Sequence, residues 1–256
     1  MLSLYMQKLD ILYYLYSMKT TQLIQTNLNA IPVGTVFDYS CLDVSGSSLS
    51  AVAQAISRMV KSGKLRKVGK GKFYKPKFSR LGEVPPLTEE LLRDLLFKDD
   101  KRIGYITGVP AFAQLGLTTQ ISSKIIIGSN TYRRPLSRGG YEISYTKQLN
   151  IITESNIPLL KILDAIKYIK SIPAVTPNEV VIRLKEIIRN LSKREITTMT
   201  ELVMNYPAAT RALFGAILES IGITVQSIMA SLNPFSKYIV GVSSDILPNK
   251  SNWNIE

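Results

Sequence analysis

Apolar residues recur with a helical period more regularly in one stretch than anywhere else in the chain. Leu49, Val52, Ala53, Ile56, Met59 and Val60 fall at i, i+3, i+4, i+7, i+10 and i+11, a single stripe. Ser47 or Ser48 stands ahead of it as an N-cap, and Gly63 closes it. The opposite face carries Ser50, Ala51, Gln54, Ala55, Ser57, Arg58 and Lys61, small and polar at first and basic at the end. Two shorter helices are predicted ahead of this one. The first runs to about Asn29 with Ile24, Leu28 and Ile31 on one face, and the second spans residues 37–44, opened by Asp38. Directly after the long helix comes GKLRKVGKGKFYKP, residues 63–76. Its apolar pairs, Leu65/Val68 and Phe73/Tyr74, flank Gly69-Lys70-Gly71, the pattern of a half-buried hairpin.

The pattern changes after Arg80. Residues 81–87, with Gly82 and Pro85-Pro86, read as a linker. Thr88 opens a helix to about Lys98. Residues 103–150 are mixed: VPAFAQLG predicts a short helix, KIIIGS and YEISYT predict strands, and TYRRPLSRGG a basic loop between them. Beyond Ile157 the period is helical, with apolar stripes through Leu159–Ile169, Val180–Leu191 and Leu213–Ile221. The predicted organisation is an N-terminal extension at 1–17, a winged helix-turn-helix domain at 18–80, the linker at 81–87, and a mostly helical domain at 88–256 holding a small sheet. The expected class is therefore mainly α with small β elements, α+β.

Charge sharpens this division. The chain has 256 residues and a formal net charge of +13. Residues 1–80 hold 12 Lys/Arg and 3 Asp/Glu, and residues 81–256 hold the other 20 and 16, so the excess is +9 against +4. Ten basic residues and no acid lie between Arg58 and Arg80. Such a surface favours a polyanionic partner. Three short helices followed by a hairpin is the winged helix-turn-helix order. In that arrangement the third helix enters the major groove of double-stranded DNA, where small side chains permit close approach. The hairpin lies over phosphates, which Lys and Arg contact. Ser50, Gln54, Ser57 and Arg58 are then candidates for base edges, flanked by Ser48 and Lys61. Lys64, Arg66, Lys67, Lys70, Lys72 and Lys75 are candidates for phosphate contact. Phe73 and Tyr74 are expected in the core rather than on an exposed stacking platform for RNA.

The chemistry of catalysis is sparse. The chain has no histidine, and Cys41 is its one cysteine. Cys41 is expected to be a small buried hydrophobe. GKGKFY lacks the order of a P-loop. Glu89-Glu90 and Asp99-Asp100 are adjacent pairs, expected to be solvent charges. No catalytic residue, metal or cofactor is expected. The apolar N-terminal run is interrupted by Lys8 and Asp10 and falls short of the ~20 residues a membrane span requires. With no small-residue cleavage site after it, the expectation is a cytoplasmic protein without a membrane partner. Met18 is a candidate for the true start.

Taken together, IPVGTVFDYSCLD and AVAQAISRMVKSGKLRKVGKGKFYKP resemble the N-terminal domain of AbiEi-type antitoxins of type IV (abortive-infection) toxin–antitoxin systems. GYITGVPAFAQLGLTTQ, TYRRP and YPAATRALFGAILESIG are similar to their helical C-terminal domain, so the resemblance covers about residues 20–235. It implies a bacterial or mobile-element protein whose first domain binds inverted repeats in its own promoter and represses the operon. It implies that the second domain neutralises a partner toxin of the nucleotidyltransferase fold, without a stable complex. It points to Arg58, Lys61 and the hairpin lysines as DNA contacts, and to a basic face with Arg133 and Arg134 in the second half that serves antitoxicity or DNA, while Arg211, two turns from Glu219, reads as a surface charge. The alternative reading of the same residues is a plain winged-helix regulator whose second domain dimerises or binds a ligand.

Overall fold

In the computed structural model, which describes residues 20–44 and 47–256, the chain divides into two compact units, Met1–Arg93 and Asp94–Glu256. The class is α+β, helices with four small sheets among the described residues. The expected N-terminal extension at 1–17 lies outside the described residues. Among the described residues no helix is long and apolar enough to cross a membrane.

The first unit opens with α1 (residues 20–30), which buries Ile24 and Leu28. β1 (Val36–Asp38) follows, then a single 3-10 turn, Tyr39–Cys41. This corrects the expected helix over residues 37–44. Phe37 is buried between two half-buried neighbours, the period-2 pattern of a strand, and it pairs with Phe73 across the sheet. Asp38 does cap a helical turn, but only one turn long. Cys41 ends that turn exposed rather than buried, because the turn packs through Leu42 and Tyr39 instead.

The long helix is α2 (Leu49–Lys61). Its buried residues are Val52, Ala55, Ile56 and Met59. The apolar stripe is therefore rotated from the expected one. Ala55 lies inside, while Leu49 is 80% exposed in the first turn, and Ala53 and Val60 are half-buried on one flank. At roughly 100° per residue, Leu49, Ala53 and Val60 sit about 70–110° from the centre of the buried face. β2 (Arg66–Gly69) and β3 (Lys72–Tyr74) form the hairpin, and the sheet order is β1-β3-β2, all antiparallel. The register shifts between Lys67 and Gly69, and Gly71 turns the chain at φ +68, where a side chain is strained. Ile24, Leu28, Phe37, Leu42, Leu65 and Phe73 complete the core around α2.

The segment expected as a linker holds structure. β4 (Lys77–Ser79) and β5 (Gly82–Val84) form a second hairpin, so residues 82–84 are strand. The expected helix from Thr88 to about Lys98 is also shorter and broken. It becomes α3 (Thr88–Leu91), α4 (Arg93–Leu96) and a tight hairpin of β6 (Phe97–Lys98) with β7 (Lys101–Arg102). Asp99 and Asp100 form the turn of that hairpin, both with positive φ.

The second unit packs helices against a mixed sheet in the order β10-β11-β9-β8. Its strands are β8 (Gly104–Thr107), β9 (Lys124–Ser129), β10 (Leu136–Arg138) and β11 (Tyr141–Lys147), with β9 and β11 parallel. The short helix α5 (Val109–Gln114) follows β8. The helical layer is α6 (Ile157–Lys167), α7 (Pro177–Arg189), α8 (Lys193–Leu202), α9 (Ala208–Ser220) and α10 (Gln226–Ala230). α9 is buried through Ala212–Leu218, and Gly215 lies so close to the Trp253 ring that a Cβ there would come within 2.1 Å of it. α7 and α8 each begin with a reciprocal capping box, Thr176 with Glu179 and Ser192 with Glu195.

A candidate nucleic-acid interface

The first unit is built so that one face of α2 is left for solvent. Ser48 caps the helix, its hydroxyl accepting from the Ala51 amide at 3.3 Å and meeting the Ser50 hydroxyl at 3.1 Å. The Ser47 hydroxyl instead meets Thr20 of α1 at 3.1 Å. Asn27 of α1 holds the segment leading into α2, donating to the Asp43 carbonyl at 2.8 Å and accepting from its amide at 3.0 Å. α2 is thus fixed by its buried face and by the chain ahead of it. Ser50, Gln54, Ser57, Arg58 and Lys61 are exposed together on the opposite side. Their spacing, i, i+4, i+7, i+8 and i+11, centres that face about 180° from the buried one.

The six basic candidates that follow α2 divide into two sets. Lys64, Lys67 and Lys70 are exposed, and no ion pair involves them among the described residues. The other three are spent on the unit itself. Lys72 pairs at 3.2 Å with Asp38, its cross-strand partner. Hydrogen bonds from Ser40, with Lys72 alongside, hold the Asp38 carboxyl below the usual carboxylate range. Lys75 donates to the Leu28 carbonyl in the last turn of α1, where a cation complements the helix end. Arg66 donates to Glu83 of β5 at 2.9 Å and to the Gly63 carbonyl at 3.2 Å. Glu83 also accepts from the buried Tyr74 hydroxyl at 2.8 Å. Tyr74, then Arg66, holds the Glu83 carboxyl below its ordinary range, and burial followed by Glu83 pushes the Tyr74 phenol up to about 12. Phe73 and Tyr74 are both buried, as expected.

Two acids that the sequence left as bystanders therefore shape this surface. Glu83 holds Arg66, and Glu90 accepts from the Val36 amide at 3.0 Å, tying α3 to the edge strand β1. Each is far from its partner along the chain, so spacing carries no signal for either.

The second unit spends its polar groups inside. The carboxylate of Asp164, buried on α6, accepts from the Tyr105 hydroxyl at 2.8 Å and the Tyr206 hydroxyl at 2.9 Å. Gln148 donates to both tyrosines, and Asn150 donates to Gln148 and to the Leu202 carbonyl. Burial pushes the Asp164 carboxyl up, opposed by the hydroxyls around it. Of the second-half arginines singled out by resemblance, Arg134 is exposed and Arg133 and Arg211 are half-buried.

No curated protein matches the sequence. The crystal structure of the RV2827C protein from Mycobacterium tuberculosis is similar at a TM-score of 0.47 and 16% identity, covering 84% of this chain and 81% of that one. A family profile matches residues 24–199, from α1 through both units into α8. That span is the larger part of the chain, and the protein belongs to the family it describes, the family of unknown function DUF6088.

Proposed function

We propose that the first unit is a winged helix-turn-helix module that binds double-stranded DNA, with the exposed face of α2 in the major groove and the β2–β3 hairpin as the wing. The observation that carries the reading is one surface holding Ser50, Gln54, Ser57, Arg58 and Lys61 next to unpaired Lys64, Lys67 and Lys70, while Glu83, Asp38 and Glu90 are engaged by Arg66, Lys72 and the Val36 amide. Phosphate contacts from the lysines supply affinity, and the helix supplies sequence choice. The resemblance to AbiEi-type antitoxins extends the reading. The protein then represses its own operon at inverted repeats in a bacterial cytoplasm, and its second unit opposes a nucleotidyltransferase-type toxin. The reading contains no catalytic step and no cofactor.

A gel-shift titration on the DNA upstream of the protein's own coding sequence tests the first part, with a random duplex beside it. Specific retardation is expected, and Arg58→Ala with Lys61→Ala abolishes it. Growth rescue of cells expressing the adjacent toxin gene tests the second part, and the same variant is expected to rescue fully. A folded Arg58/Lys61 variant that fails to rescue refutes the assignment of neutralisation to the second unit.

A second reading, a regulator with a ligand-binding second domain, has one observation in its favour. A groove of about 560 Å³ at the ends of α7, α8 and α9 is lined by Ile188, Leu191, Ile196 and Ile223, with Arg189 and Lys193 beside them. Its volume is that of a small-molecule site.

A further inference from the structure

The β4–β5 hairpin is anchored firmly for a piece of surface that nothing requires. The β2–β3 ladder has two ends, Gly69↔Lys72 beside the wing turn and Arg66↔Tyr74 at the other. Glu83 fastens the second hairpin to that other end through Tyr74 and Arg66, and Arg66 reaches on to the Gly63 carbonyl just past α2. The hairpin therefore sits by the C-terminal end of α2, away from Lys70. Its tip is set by Ser79, whose hydroxyl donates to the Gly82 carbonyl at 3.1 Å and accepts from the Leu81 amide at 3.2 Å. Gly82, at φ +113, permits the turn. Leu81 is fully exposed at the tip, with Arg80 beside it and Lys77 exposed on β4. Glu83 is the one acid of residues 77–84, and Arg66 already matches its charge. A rigid tip that holds out an arginine and an unburied leucine has the chemistry of a minor-groove contact. There Arg is drawn to the narrow groove of A·T tracts, and an apolar side chain wedges against or between base steps.

We propose that the β4–β5 hairpin is a second wing, placing Arg80 and Leu81 in the minor groove on the opposite flank of α2 from the first wing. This rests on the DNA-binding reading above. The test is hydroxyl-radical footprinting on the duplex upstream of the protein's own coding sequence, with the full chain. The wild type should protect two minor-groove patches, one on each side of the major groove read by α2. Arg80→Ala with Leu81→Ala should lose one patch and keep the other, and should flatten the slope of log K against log salt by about 0.9. Lys67→Ala with Lys70→Ala should lose the opposite patch. Both tip residues are exposed, so the melting temperature should stay within a degree or two of wild type. A wild type with one patch overturns the proposal, and so does a tip variant that keeps both. Loss of a dimer in sedimentation with an unchanged footprint also overturns it, by making the hairpin a self-association surface. No binding by any variant, wild type included, takes down the DNA reading with it.

Discussion

The two units differ in how far their acids match their cations. In the second, several acids are spent on internal bonds. Glu179 and Glu195 close capping boxes, Glu219 takes the Trp253 indole N–H at 2.7 Å, and Asp164 is enclosed by two tyrosines. Its cations often meet acids in turn, as Arg138 meets Asp94 and Arg102 meets Glu154. In the first unit Asp38, Glu83 and Glu90 are spent in the same way, but the acids are too few to use up the cations. Once Arg66, Lys72 and Lys75 are set aside, Lys61, Lys64, Lys67, Lys70, Lys77 and Arg80 stay exposed along the end of α2 and the two hairpins. A net charge becomes a binding argument only after the matched pairs are removed, and here the removal leaves a located surface.

The harshest way to break the comparison is to ruin one unit and look at the other. Leu213 is almost fully buried in α9, and Leu213→Asp places a charge in that core. Loss of more than about 4 kcal/mol is expected for the second unit. Circular dichroism should lose helix while gel-shift on the upstream duplex persists, weakened. Loss of the shift along with the helix would mean the units do not act separately.

A smaller effect separates the two sets of cations. Changing Lys64, Lys67 and Lys70 together to Ala should flatten the salt slope of DNA binding by about 2.7, at 0.9 per lost phosphate contact, with an unchanged melting temperature. Lys72→Ala should do the reverse, lowering the melting temperature with little change in slope, because its charge is engaged by Asp38. Equal slopes for the two variants would erase the distinction.

In the second unit, Tyr206→Phe removes one of the two hydroxyls that Asp164 accepts, as well as a partner of Gln148. About 1–3 kcal/mol of destabilisation is expected in chemical denaturation, with DNA affinity unchanged.

The mildest test is in acid. The folded Glu83 carboxyl sits below its ordinary range, so its contribution to stability is present above that range and is lost as pH falls through the depressed value. The difference in melting temperature between wild type and Glu83→Gln should be constant near neutrality and shrink toward zero as the solution is acidified. A difference that grows in acid would reverse the sign and refute the pairing.

The parts of this surface that were legible in the sequence are those with local signals. α2 has a long period and a capping serine, and the β2–β3 hairpin has a glycine turn between apolar pairs. The class, the strands β9 and β11, and the helices α5, α6, α7 and α9 were readable for the same reason. β1 was misread because three residues are too few to show a period. The second hairpin was hidden by composition, since Gly82 and the two prolines look like a linker. The division among the basic residues could not be read at all. Arg66, Lys72 and Lys75 find partners 17, 34 and 47 residues away, contacts that only the fold creates. α8 had a readable signal, the Ser192–Glu195 box, with a weaker apolar stripe behind it.

The bond from Glu90 to the Val36 amide bears on how the first unit could be cut free for study. A fragment stopping at Arg80 keeps every residue proposed for the major groove and the first wing. It nevertheless loses Glu83, which steadies Arg66 and Tyr74, and Glu90, which occupies the amide at the edge of β1. Truncation at the end of the basic run would return Arg66 to the solvent set, leave the Val36 amide at the edge of β1 without its carboxylate and take the acceptor from a buried phenol. Such a piece would carry more free charge and a less ordered hairpin than the whole unit, and a binding test on it would mislead. The natural place to cut is past Glu90, well beyond the point where the charge runs out.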